Sequence, residues 1–179
     1  PYALEYLSRK LEVENRVAIE VTPHVRATDE DLLASQHLLW ITATDKLDLA
    51  PGEAEALGWY LDGGGMLFLN AIGGSTEFRR SVPEVIERIV GDRDMPAGIP
   101  PSTSPLLTGK CGDFRGPPIG KLARTTQFRL ISPAEPPPFR VYMSGGRVAS
   151  VVADYGIHDT MDGHAAHGAA SYMPHSARE

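Results

Sequence analysis

The chain has one cysteine, Cys111, in 179 residues. A single thiol excludes an intrachain disulfide and a thiolate metal cage. Long apolar runs are missing as well. No stretch approaches the roughly 20 residues that span a bilayer as a helix, and no signal-peptide pattern opens the sequence. Positive charge is scarce and scattered: 17 Lys and Arg stand against 23 Asp and Glu, for a net charge of −6. That balance argues against nucleic acid, which calls for a basic face.

Composition is otherwise that of a globular domain, with 42% hydrophobic residues. A chain of this length buries a proper core as one unit. It begins at Pro1-Tyr2, directly in a helical pattern. It stops at Ser176-Ala177-Arg178-Glu179, which reads as the first turn of another helix. The expectation is a single α/β domain over residues 1–179, cut from a longer protein.

Leu4, Leu7 and Leu11 predict an amphipathic helix over residues 2–14. The β-branched run RVAIEV (16–21) predicts a strand. TDEDLLAS, with Thr28 as candidate cap, predicts a short helix. HLLWITA (37–43) and MLFLN (66–70) are continuous apolar strands of the kind buried on both faces. Between them Pro51 opens a helix, Ala54, Leu57 and Leu61 line one side, and Gly63 closes it. Trp59 and Tyr60 are read as its core or core-edge residues. From Thr76 a further apolar face runs through Phe78, Val82, Val85, Ile86 and Ile89. Pro83 is expected to interrupt it, with Ser81 and Glu84 at capping-box spacing restarting a second helix.

This order, α-β-α-β-α-β-α, predicts a doubly wound, mainly parallel sheet with helices on both faces. Prolines then break the pattern over 92–138, a long irregular insertion in which FRLIS (128–132) is the one expected strand. Order returns at FRVYMSGGRVASVVADY. There Ser144-Gly145-Gly146 predicts the turn of an antiparallel hairpin near the C-terminus.

Open α/β sheets bind ligands beyond the carboxyl ends of their strands. Thr22, His24 and Thr42 fall there, and so does the candidate crevice set: Thr44, Asp45, Asn70, Gly73, Gly74, Ser75, Asp154 and Tyr155. The stretch GGGMLFLNAIGGSTEF (63–78) brings a strand into that region. A nucleophile elbow needs a serine or cysteine at the tip of such a turn, and the tip here is Ala71-Ile72. Ser75 is better placed to cap the next helix, whose start is also a candidate anion site. SPLLTGKCGDF fails the Walker A pattern, because Lys110 is followed by Cys111. His158, Asp159, His164 and His167 bring imidazole and carboxylate together in the C-terminal segment, but at no recognised zinc spacing.

The segment LDLAPGEAEALGWYLDGGGMLFLNAIGGSTEFRRSV, with HLLWITAT before it and GGRVASVVADYGIHD after it, resembles a known family. It is the uncharacterised bacterial domain of unknown function family 4159. The positions that carry the resemblance are Thr42 or Thr44, Glu55, Tyr60-Leu61, Gly63 to Gly65, Leu67-Phe68, Ser75, Phe78, Gly146-Arg147, Val151 and Asp154. The resemblance implies a flavodoxin-like fold of the class I glutamine-amidotransferase-like group. It also implies a place inside larger, envelope-associated or periplasmic proteins, and no reaction. Asn70 stands where the family pattern implies an acidic residue.

The first functional expectation is a non-catalytic binding or scaffold domain without a cofactor. Its partners are other domains of the same parent protein or assembly. One alternative is a hydrolase or transferase using the strand-end crevice, with metal held by the His/Asp-rich segment. The other is a sensor of a small anion or nucleotide at Gly73-Gly74-Ser75.

Overall fold

The computed structural model describes residues 2–112, 114–115, 130, 139–155 and 157. Its centre is a five-stranded sheet in the order β1-β2-β7-β6-β3. Strands β1 (Leu38–Ala43), β2 (Met66–Ala71) and β7 (Arg147–Ala153) are parallel neighbours. Strand β6 (Arg140–Ser144) runs antiparallel to β7, and the two-residue β3 (Ala97–Gly98) runs antiparallel to β6. The sheet is therefore parallel at one end and antiparallel at the other. Gly145 and Gly146 both take positive φ, 56° and 82°, in the turn from β6 to β7, a conformation glycine adopts without a Cβ penalty.

Helix α1 spans Tyr2–Asn15, α2 Glu30–Ser35, α3 Pro51–Asp62 and α4 Thr76–Val90. The four-residue α5 (Pro105–Thr108) and the small pair β4 (Lys110–Cys111) and β5 (Phe114–Arg115) follow β3. Alternate residues of a strand face opposite sides, and β2 feeds two separate cores accordingly. Leu67, Leu69 and Ala71 join Leu33 of α2, Leu57 and Leu61 of α3, and Phe78, Val82, Val85 and Ile89 of α4. Met66 and Phe68 face the other way, toward Phe139, Val141, Val151 and Tyr155, with Leu106 and Leu107 of α5 against them. The parallel strands step in one direction, β1 to β2 to β7. Right-handed crossovers that step the same way put their helices on the same face. Among the described residues, α3 and α4 accordingly share one face, joined there by Leu33 of α2, and α5 packs on the other. The expected doubly wound arrangement is therefore not what these helices form.

Three local expectations are corrected. Residues 16–21 form no strand. Arg16 adopts φ 57° and turns the chain back along α1. The backbone there is spent on that helix: Val17 N donates to Leu11 O at 3.1 Å, and Ser8 Oγ donates to Ile19 O at 2.8 Å. Val17 and Ile19 are left exposed, so β propensity without a ladder partner does not make a strand. Second, α4 is continuous through Pro83. The cost of an internal proline, about 3 kcal/mol, is outweighed by the buried stripe Phe78, Val82, Val85, Ile86 and Ile89. Ser81 restarts nothing: its hydroxyl donates to Phe78 O at 2.7 Å and accepts from Leu47 N at 3.0 Å. Third, the cap of α2 is Asp29 rather than Thr28, accepting from Leu32 N at 3.2 Å. Of the expected strand at 128–132 only Leu130 is described, and the rest lies outside the described residues.

Helices α3 and α4 pack closely because Gly58 has no side chain. A Cβ there would lie 2.8 Å from Ile89 O. Just beyond, Arg93 clamps the two helix ends: Nε donates to Asp62 Oδ2 at 2.8 Å, and Nη1 to Ile89 O at 3.3 Å and Val90 O at 3.2 Å.

Ser150 is a flaw in this core. It is fully buried on β7, and its hydroxyl finds no partner among the described residues. An unpaired buried hydroxyl carries a desolvation cost with no return. Ser150→Ala is therefore expected to leave stability unchanged or raise it by about 1 kcal/mol, read as the urea midpoint. A fall of the midpoint would mean that the hydroxyl has an acceptor.

Candidate functional site

The carboxyl ends of β1 and β2 bring most of the predicted crevice residues together, and they are bonded to one another. Asn70, the fifth residue of β2, is fully buried. Its Nδ2 donates to Thr42 Oγ1 at 3.2 Å, and its Oδ1 accepts from Ile157 N at 3.1 Å. Thr42 Oγ1 in turn donates to Asn70 O at 3.1 Å. One carboxamide thus ties β1, β2 and the segment leaving β7. The chain then turns through Ile72–Gly74, where Gly73 and Gly74 adopt φ 57° and 71°. That left-handed pair is what the two glycines are for.

Ser75 caps α4 as expected, accepting from Phe78 N at 3.2 Å. Its hydroxyl donates to Thr44 O, joining the β1 exit to the β2 exit. Thr44 Oγ1 donates to its neighbour Asp45 at 3.2 Å. Arg79, one turn into α4, donates to Ser75 O at 3.3 Å, Thr76 Oγ1 at 3.1 Å and Tyr155 OH at 3.4 Å. Its guanidinium lies 4.9 Å from the Tyr155 ring centre, a cation–π contact.

Asp154 stands apart from this network, in a two-pronged pair with Arg140. Nε donates to Oδ2 at 2.8 Å and Nη2 to Oδ1 at 2.6 Å. The hydrogen bond to Asp154 raises the Arg140 pKa against the opposing effect of burial, so the cation persists and joins the start of β6 to the end of β7. Thr22 and His24 follow a segment that makes no strand and so flank no strand end. His158, Asp159, His164 and His167 lie outside the described residues. Among the described residues no three His, Cys, Asp or Glu side chains are grouped to hold a metal.

The amino ends of the same strands hold an interlock built from the family-type residues. The buried Tyr60 hydroxyl accepts from Met66 N and donates to Met66 O, both at 3.1 Å. Burial raises its pKa, opposed by the Met66 hydrogen bond. Its ring lies over Gly65, where a Cβ would sit 2.2 Å from Tyr60 Cζ. Arg147, at the start of β7, donates to Gly65 O at 2.9 Å and to Leu61 O. The Tyr-Leu, Gly-Gly and Gly-Arg signals therefore meet in space as one joint between α3, β2 and β7.

Beside this joint lies an open groove of about 900 Å³, lined by Glu30, His37, Glu55, Trp59, Tyr60 and Gly63 to Gly65 among others. Trp59 is 68% exposed, which corrects its expected core position. The signal was present in the helical period: Ala54, Leu57 and Leu61 set the buried stripe, and residue 59 falls on the opposite side.

No curated protein matches the sequence significantly. The family model described as Domain of unknown function (DUF4159) matches residues 1–175. A match over nearly the whole chain shows that the chain belongs to the DUF4159 family.

Proposed function

We propose that this domain works by binding rather than by catalysis, as a scaffold or recognition unit of a larger bacterial, envelope-associated protein. One observation carries this reading. The polar groups at the carboxyl ends of the parallel strands, where an α/β enzyme keeps its machinery, are engaged in holding the chain. Asn70 joins three segments, Ser75 caps α4 and binds Thr44 O, and Asp154 is paired with Arg140. The turn after β2 carries Ala71 and Ile72 at its tip, so nothing there attacks a carbonyl. Partners on this reading are other domains of the same protein or assembly.

The proposal includes the finer architecture, a flavodoxin-like domain of the glutamine-amidotransferase-like group. The parallel run β1-β2-β7 supports the parallel α/β core of that architecture; α2 to α4 pack on one of its faces and α5 on the other. It would then be such a fold without its nucleophile.

The test is turnover. The purified domain, Ser75→Ala and Cys111→Ala are assayed for glutamine and ester hydrolysis. All three are expected to match buffer. Robust hydrolysis abolished by either substitution would overturn the binding reading.

A further inference from the structure

The amino-end groove combines features that the fold does not need. Trp59 presents its indole to solvent from α3, and large exposed aromatics of this kind are typical anchors for a partner. Glu55 precedes it by one helical turn on the same face. Across the groove stands Glu30, at the start of α2. Lysine and arginine are absent from the described lining, and both carboxylates are exposed without a described ion pair. The other walls combine the small Gly52, Ala34 and Ala56 and the ribbon Gly63 to Gly65 with the polar Gln36 and His37. At Gly52 and Gly64 even the space of a Cβ is empty, so backbone can approach closely.

From this charge and shape we infer that the groove binds an extended basic peptide segment. An arginine or lysine side chain stacks on Trp59 and pairs with Glu55, and Glu30 meets a second cation. An indole face attracts a cation through its quadrupole, most strongly for the planar guanidinium. Two carboxylates supply the complementary field. Glu55 lies within the field of Arg93, which is outside the lining and is itself paired with Asp62. The glycine ribbon takes the peptide backbone. This inference rests on the binding reading and gives it a partner chemistry, at the end of the strands opposite the crevice.

The experiment uses the whole 179-residue chain and a tetra-arginine peptide, with tetra-glutamate as control. Tryptophan fluorescence and calorimetry report binding at low and at physiological salt. Tetra-arginine is expected to bind saturably and to quench Trp59. Affinity should fall about fivefold in Glu55→Gln and about tenfold in Trp59→Ala, and further as salt rises. Both residues are exposed, so the substitutions leave the core intact. Circular dichroism checks this, and Trp59→Phe serves as a milder second variant that retains part of the affinity. Equal binding of tetra-glutamate, or tetra-arginine binding unchanged in Glu55→Gln and Trp59→Ala, would overturn the groove. Absence of peptide binding would also overturn it while leaving the binding reading intact, because only hydrolytic turnover removes that reading.

Discussion

Gly65→Ala should lose about 3–4 kcal/mol of stability, the combined cost of overpacking and of displaced hydrogen bonds. The new methyl would stand 2.2 Å from Tyr60 Cζ, with Cε2 at 2.3 Å and Cε1 at 2.5 Å. A flexible neighbour would swing away. Tyr60 is held, because its ring is buried and its hydroxyl is pinned to both backbone atoms of Met66. Moving the ring therefore also breaks those bonds and disturbs the Gly65 carbonyl on which Arg147 rests. A domain of this size loses about 10 °C in melting temperature for such a change. The cause is separable by a double substitution. Tyr60→Leu should cost markedly less in the Gly65→Ala background than in the wild type, because there it also removes the clash. Additive losses would show that the ring is not what excludes a side chain at residue 65.

Asn70→Ala is expected to cost about 3 kcal/mol, as a buried amide left without its acceptor and a cavity in place of a carboxamide. Asn70 is fully buried, and its bonds reach Thr42 on β1 and Ile157 beyond β7. Asn70→Leu separates the two contributions. Leucine fills the volume but leaves the Ile157 N–H unpaired, so it should recover less than half of the loss in urea unfolding. Full recovery by leucine would reduce Asn70 to a space-filler. The comparison also bears on the acidic residue that the family pattern implies at this position. A carboxylate accepts from Ile157 N but offers no donor to Thr42, so asparagine is the residue that serves both partners.

Much of the fold was legible because its signals are local. MLFLN is an apolar run that forms an interior strand, whereas LLWITA, read the same way, forms the edge strand β1, in which no residue is buried and Leu38 is 43% exposed. The stripe Ala54, Leu57 and Leu61 and the stripe Phe78 to Ile89 fix which sides of α3 and α4 are buried. Failures arose where tertiary context outweighs local preference. RVAIEV has strand composition, but a strand needs a neighbour, and its backbone is tied to α1 instead. Pro83 signals a break, but the packed face carries the helix across it. Trp59 was grouped with its core neighbours on hydrophobicity when the period set it apart.

The site shows the same division. Ser75 was read correctly as a cap because capping is a relation between near neighbours. The part played by Asn70 depends on Ile157, 87 residues away, and that of Arg147 on Leu61, 86 residues away. Such pairings are set by sheet order, which composition and periodicity do not encode. The groove at the amino ends was missed for a further reason. The crevice rule directs attention to the carboxyl ends, and Glu30 on α2 lies far in sequence from Glu55 and Trp59 on α3.

On the binding reading, the polar residues beyond the parallel strands hold the chain instead of serving a reaction. Amide hydrogen exchange at Ile157, followed in the wild type and in Asn70→Ala, tests it most directly. A carboxamide acting as a latch keeps the Ile157 N–H bonded and buried, so this amide should be protected in the wild type. Loss of the acceptor in Asn70→Ala should speed its exchange by at least tenfold, while Leu69 in the middle of the sheet changes only by the global loss of stability. Rapid exchange of Ile157 in the wild type, or equal protection in Asn70→Ala, would show that Asn70 does not hold this segment and would free its side chain for chemistry.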